Sequence, residues 1–270
     1  MYLMSFINKY RVYIFALIVF AFFTNNIQAQ ELYVSSEPAS TMPARSFLIK
    51  QGYSNMTGTQ QLNNFYTQLQ FGLSKKLMTH LETNFKSLEW YTQYRIYSKD
   101  AMYEHLRMAL FFKAINSNSN AIQTNSILLD GQESALHSGL IVTKLKHKWA
   151  SSLTLGSVVK QASLAQNGAT GFQYSFSNGF LMYPKVYSSY SQTNVNFYLE
   201  LIGQSLYSGK ANYVDIAPAI QFIFNSQAKL NVSYRLPLVN QTNRATYNTA
   251  SISWDYLFFN VLPKRKTVKK

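Results

Sequence analysis

The chain has 270 residues, of which 16% are aromatic, with 20 Tyr and 19 Phe, and only 13% are charged, about half the usual share. Hydrophobic residues stand at an ordinary 47%, which excludes a disordered chain and a bundle of transmembrane helices, and the absence of cysteine excludes a disulfide scaffold, thiolate zinc sites and cysteine nucleophiles. The formal net charge is +14, but Lys9, Arg11, Lys264, Arg265, Lys266, Lys269 and Lys270 lie at the two ends, and without those seven the 25 basic residues fall to 18 against 11 acidic ones.

The first element is an expected export signal at residues 1–29. Lys9 and Arg11 precede an unbroken apolar run from Val12 to Phe23, and polar Thr24, Asn25 and Asn26 lead to the small-residue pattern Ile27-Gln28-Ala29. As a helix, twelve apolar residues would span about 18 Å, short of the roughly 30 Å hydrocarbon core, so a cleaved signal is favoured over a membrane helix. Export also makes a nucleic-acid partner unexpected, whatever the charge.

Residues 30–45, with Pro38 and Pro43, show no period and are expected to be irregular. From Ser46 on, stretches of alternating apolar and polar residues recur. Val195, Phe197, Leu199 and Leu201 alternate with Asn194, Asn196, Tyr198 and Glu200. Val214, Ile216, Pro218, Ile220 and Phe222 alternate with Asp215, Ala217, Ala219 and Gln221. Period-two alternation places the two sets on opposite faces of a sheet. Twelve strands are expected, at roughly 45–54, 64–74, 77–86, 89–98, 103–115, 134–144, 147–159, 171–182, 193–205, 213–224, 228–236 and 246–259.

Most of these exceed the five or six residues usual in soluble strands and reach the 9–11 or so that a tilted strand needs to cross a bilayer. An even strand count, ten-residue alternation and aromatic residues near the strand ends predict an all-β fold, an antiparallel transmembrane β-barrel occupying residues 46–260 with both termini periplasmic. The connections agree in part. Ser74–Lys76, the neighbourhood of Lys146 and Asn225–Gln227 are tight, whereas Asn55–Asn63, Asn116–Glu133, Gln161–Thr170 and Asn240–Ala245 are longer and fall on the opposite side. Lys99–Met102 and Tyr183–Gln192 are longer than that alternation wants. The competing fold is a secreted β-sandwich, which has no need of such long strands or of Trp, Tyr and Phe at the ends of its apolar faces.

Several stretches resemble those of outer-membrane proteins of the Bacteroidetes that are transporter-like or porin-like. They are Glu31-Leu32-Tyr33-Val34, Glu37-Pro38-Ala39-Ser40, Met42-Pro43-Ala44, Lys76-Leu77-Met78-Thr79-His80, His105-Leu106-Arg107-Met108-Ala109 and the run from Asp215 to Asn225. The resemblance implies an outer-membrane barrel and the passage of small solutes, with no catalytic residues to carry over. The basic tail of residues 261–270 departs from the usual barrel ending on an aromatic residue.

Taking the polar set of each strand inward gives His80 and the pore-lining candidates Glu82, Arg95, His105, Arg107, Glu200, Asp215, Arg235 and Asp255. A charge on a lipid face costs about 2–4 kcal/mol near the midplane, which is why the inward side is expected. Glu82 is expected beside Arg95, Glu200 beside Asp215, and Arg235 beside Asp255. Two arrangements are open: an eyelet in which Arg95 and Arg107 face Glu200 and Asp215 across the pore, or paired charges that fill a closed lumen.

No cofactor or metal is expected. His80 shares a face with Met78 and Glu82, a mixed soft and hard donor set, but no two histidines are spaced as a defined site. There is no Gly-x-Ser-x-Gly, His-Glu-x-x-His or phosphate-binding glycine loop, and no enzyme is expected. The nearest approach to an outer-membrane phospholipase is His137 with Ser151 or Ser152 on the next strand, a pairing any serine-rich barrel offers by chance. The expected partners are outer-membrane lipid and small solutes, with a periplasmic or outer-membrane protein as a further possibility for the Asn116–Glu133 loop and the basic tail. The leading function is a conduit for small solutes. The alternative is a plugged structural barrel that holds a partner.

Overall fold

A computed structural model describes residues 33–59, 61–101, 104–118, 134–160, 170–184, 192–207, 212–241, 244 and 246–262. The expected signal at 1–29, most of the Asn116–Glu133 loop and the basic cluster Lys264–Lys270 lie outside the described residues. Twelve strands follow in order: β1 (Phe47–Gly58), β2 (Leu62–Gly72), β3 (Leu77–Thr83), β4 (Ser87–Ala101), β5 (Glu104–Ser117), β6 (Ala135–Lys146), β7 (Trp149–Lys160), β8 (Thr170–Tyr183), β9 (Asn194–Leu206), β10 (Asn212–Phe224), β11 (Ala228–Asn240) and β12 (Thr246–Phe258). Each pairs antiparallel with its sequence neighbours, and β12 returns to β1 in register from Phe47↔Phe258 to Thr57↔Asn248. The result is a closed all-β barrel with no free sheet edge, not a two-sheet sandwich.

The alternation read from the sequence becomes an inside and an outside. Along β10, Tyr213, Asp215, Ala217, Ala219, Gln221 and Ile223 are buried towards the lumen, while Ile220 on the other face is 41% exposed. The outer wall carries Leu81, Trp90, Phe112, Phe176, Phe197, Ile252 and Trp254, all exposed. A soluble barrel would have to hide such a surface; a lipid-facing wall requires it. Rings gather where Phe47 meets Phe71 and Phe258, with centroids 5.1 and 6.1 Å apart, at the end that carries β1's start and β12's finish.

We call that the terminal end. Its turns include His147–Lys148 and Asn225–Gln227, and positive φ at His147, Asn225 and Ser226 supplies the left-handed backbone of tight hairpins. Two connections differ from expectation. β4 and β5 run on to Ala101 and Glu104, so their turn is shorter than the sequence pattern indicated, and β1 and β2 extend to Gly58 and Leu62, which shortens the expected Asn55–Asn63 loop. In both cases polar residues continue the hydrogen-bonded ladder past the point where the apolar alternation stops. A bulge at Ile96 in β4 turns both Ile96 and Tyr97 outward.

Glycines make room inside for rings. Gly179 on β8 faces Tyr198 on β9, and a Cβ there would lie 2.5 Å from the Tyr198 ring. Gly179→Ala is therefore expected to force Tyr198 aside and to cost about 1–3 kcal/mol by overpacking, read as a lower unfolding temperature in detergent. An unchanged unfolding temperature would show that Tyr198 moves freely.

Candidate functional site: a lumen crossed by the N-terminal segment

Residues 33–45, expected only to be irregular, run inside the barrel. Their backbone polar groups have no sheet to join, so the lumen wall must satisfy them. Arg45 donates its amide to the Gly72 carbonyl at 2.6 Å, which fixes the segment at the terminal end, and Gly72 lies directly against the Pro43 carbonyl. From there the chain crosses the lumen. Arg107 donates to Ser40 Oγ at 2.8 Å, Ala39 donates its amide to Thr143 Oγ1 at 2.8 Å, and Gln93 donates to the Pro38 carbonyl at 3.0 Å. Beyond, the Val34 and Ser35 amides both donate to Glu200 Oε1, at 3.1 and 2.8 Å, and Tyr33 meets Tyr198 edge-on at 5.7 Å. Ala39 is fully buried among Met78, Tyr91, Ala109, Phe111 and Ile141. Ser36 Oγ also lies 2.8 Å from Ser177 Oγ, so the segment is a strap across the lumen, tied to β4, β5, β6, β8 and β9.

Above the strap lies a cavity of about 310 Å³, floored by Tyr33–Glu37 and walled by Lys50, Gln68, His80, Glu82, Glu89, Tyr91, Lys113, His137, Gln173 and Arg235 among others. A second cavity of about 180 Å³ shares Tyr66, Glu82, Glu89 and Arg235 with it and adds Asp215 and Arg244. Together they form a cup lined by charges of both signs.

The predicted lumenal residues fall at different heights along it. Glu82 on β3 is in register with Glu89 on β4, not with Arg95, which reaches the Lys75 carbonyl at the terminal end. His105 and Arg107 both contact Asp100, at 3.2 and 3.0 Å. Glu200, wholly buried, accepts from the strap and from Ser177 at 3.1 Å. Asp215, also wholly buried, is held by Arg235 at 2.6 Å and by two nitrogens of Arg244 at 2.7 and 2.8 Å. Asp255 pairs with Lys229 at 3.4 Å rather than with Arg235. The structure thus does not bring Arg95 and Arg107 against Glu200 and Asp215. Each acid has its own local partner, because neighbouring strands share a face but their charges sit at different registers.

Sequence reasoning missed Arg244, Lys229, Lys50, Glu89, Lys113 and Asp100. Lys50, Glu89, Lys113 and Lys229 sit on the polar parity of their strands and were open to the same argument. Arg244, 1% exposed, lies between β11 and β12 and folds inward over the Tyr213 ring at 4.3 Å, where strand parity gives no guidance.

The enzyme and metal alternatives find little geometry. His137 is in register with Val158 on β7, seven residues from Ser151, which corresponds to about 23 Å along a strand. His137 Nδ1 meets Gln173 at 2.7 Å, and Ser152 meets Thr143 at 2.8 Å. His80 stacks on Tyr91 with ring centroids 4.6 Å apart and reaches Glu89 at 3.3 Å, while Met78 Sδ accepts from Gln70. Among the described residues, no three His, Cys, Asp or Glu side chains are grouped to hold a metal ion.

No family model matches the chain, and no curated protein matches it in sequence. Among solved structures, the fold is similar to that of an outer-membrane channel from Pseudomonas putida F1, with 11% identity over 84% of this chain and 100% of that one and a TM-score of 0.51. The NanC porin follows with 11% identity over 78% and 98% and a TM-score of 0.48, and the KdgM porin with 8% over 78% and 99% and a TM-score of 0.46. At 11% identity the likeness to the Pseudomonas putida channel is one of fold alone: the two share the architecture of a closed outer-membrane β-barrel.

Proposed function

We propose that this protein is an outer-membrane conduit for small polar solutes, narrowed from the terminal end by its own N-terminal strap, with both termini periplasmic. The observation that carries the proposal is the charged cup of about 310 Å³ inside a closed barrel whose outer wall is apolar. A barrel built only to span a membrane needs no such cavity, whereas polar solutes crossing an apolar bilayer need polar groups along their path. The resemblance of the strap and strand motifs to transporter-like barrels supports the same reading. In this proposal Glu82 and Arg235 line the path directly, Asp215 holds Arg235 and Arg244 at its wall, Glu200 holds the strap, Asp255 braces the wall, and Arg95, His105 and Arg107 surround the terminal opening.

Planar-bilayer conductance of the purified full chain tests this. We expect small, discrete conductance steps. A silent barrel, with and without the strap, would instead favour the second reading, a plugged structural barrel, for which the observation is the strap's set of bonds to β4, β5, β6, β8 and β9.

A further inference from the structure

We propose that the cup above the strap binds short peptides in their zwitterionic form, an inference that rests on the conduit proposed above and names its solute class. The lumen wall already binds peptide main chain of both polarities. Glu200 accepts two consecutive amides, Thr143 accepts a third, and Gln93 donates to a carbonyl. The surface that does this continues upward into the cup, where Gln68 and Gln173 offer amide side chains to a solute's peptide groups.

The cup adds what the ends of a free peptide require. Glu82 and Glu89 face each other across β3 and β4 and form the anionic pole of the cup towards which an ammonium group is drawn, with Glu89 also met by His80 at 3.3 Å and Lys113 at 3.5 Å. Arg235 stands on β11, with β12, β1 and β2 between it and that acidic wall, and its guanidinium, held at Nε by Asp215 at 2.6 Å, is the cationic pole of the cup that a solute carboxylate would approach. All three side chains line both cavities, so one solute can address both signs at once. His80 lines the same cup, stacked on Tyr91 and 3.3 Å from Glu89. An ion of one sign gains less here, because Lys113 lies 3.5 Å from Glu89 and the cup's charges largely balance. The cavity volume suits a di- or tripeptide.

Calorimetric titration of the detergent-solubilised full chain tests the inference with three probes: trialanine, trialanine blocked by N-acetyl and C-amide groups, and maltotriose. Trialanine is expected to bind about tenfold or more tighter than the blocked form, and maltotriose to give no heat. Glu82→Gln, checked for folding by heat-modifiable gel migration, is expected to lower trialanine affinity towards that of the blocked peptide. Equal affinity for blocked and free trialanine, maltotriose binding as tightly as trialanine, or no heat at millimolar trialanine each overturns the site, and none of these needs the variant. Conductance of the same preparation separates the two claims. A conducting barrel without trialanine heat overturns the peptide site alone, while trialanine heat from a silent barrel supports the site and overturns the conduit.

Discussion

Replacing Glu200 with Ala is expected to open the lumen. Glu200 Oε1 accepts the Val34 and Ser35 amides inside the barrel, and Oε2 accepts from Ser177. Hydrogen bonds to a charged acceptor contribute about 1.5–3 kcal/mol each, and a buried amide left without an acceptor adds its own desolvation cost. Losing two such bonds shifts the balance between seated and displaced strap by about 3 kcal/mol, roughly a hundredfold in population. The strap lies across the lumen between the cup and the terminal end, so the shift should appear as longer or larger conductance steps. Glu200→Gln keeps a neutral carbonyl acceptor and should fall between the two. Removal of residues 33–40 sets the ceiling. If the Glu200→Ala barrel conducts as the parent does while the deletion opens it, the strap is held by its other bonds, chiefly those to Thr143, Gln93 and Arg107.

The strand wall was legible because its pattern is local. Each strand reports its own inside and outside through period-two alternation, and closure to an even barrel follows from strand length, the even strand count and the aromatic residues at the ends of the apolar faces. The strap was not legible. Its residues carry no period, and the partners that hold it are remote: Val34 and Glu200 are separated by 166 positions, and Ala39 and Thr143 by 104. A proline-containing segment without a pattern is normally a surface loop, and only the lumen's side chains make this one interior. The charge pairs were half legible. Parity placed Arg235 and Asp255 on the same side of adjacent strands, but β11 and β12 pair Arg235 with Thr249 and Lys229 with Asp255. That offset of six positions along β12 amounts to about 20 Å, so a correct face gave an incorrect partner.

The Asp215 cluster carries the largest expected effect on stability. The carboxylate of Asp215 is wholly buried and receives Arg235 on one oxygen and Arg244 on both. Arg244 is itself 1% exposed and also donates to Asn240 at 3.2 Å, which ties the β11–β12 connection down into the mouth of the cup. Asp215→Asn removes the charge but keeps the shape, leaving two arginines facing one another with no anion between them. Removing one partner from a buried ion pair costs about 3–5 kcal/mol, mostly as the penalty of the charge left behind. At the size of this barrel that corresponds to a fall in unfolding temperature of roughly 6–20 °C. The same substitution adds net positive charge to the cup, so in a barrel that stays folded, reversal potentials under a salt gradient should move towards anions. Arg244→Leu is the complementary test: it leaves Asp215 paired with Arg235 and frees the β11–β12 connection, so it should cost less stability and leave the ion preference near that of the parent. Were Asp215→Asn to unfold at the parent's temperature, the cluster would be solvated through the cup rather than sealed by Arg244, and the mouth would be wider than the inward fold of that side chain implies.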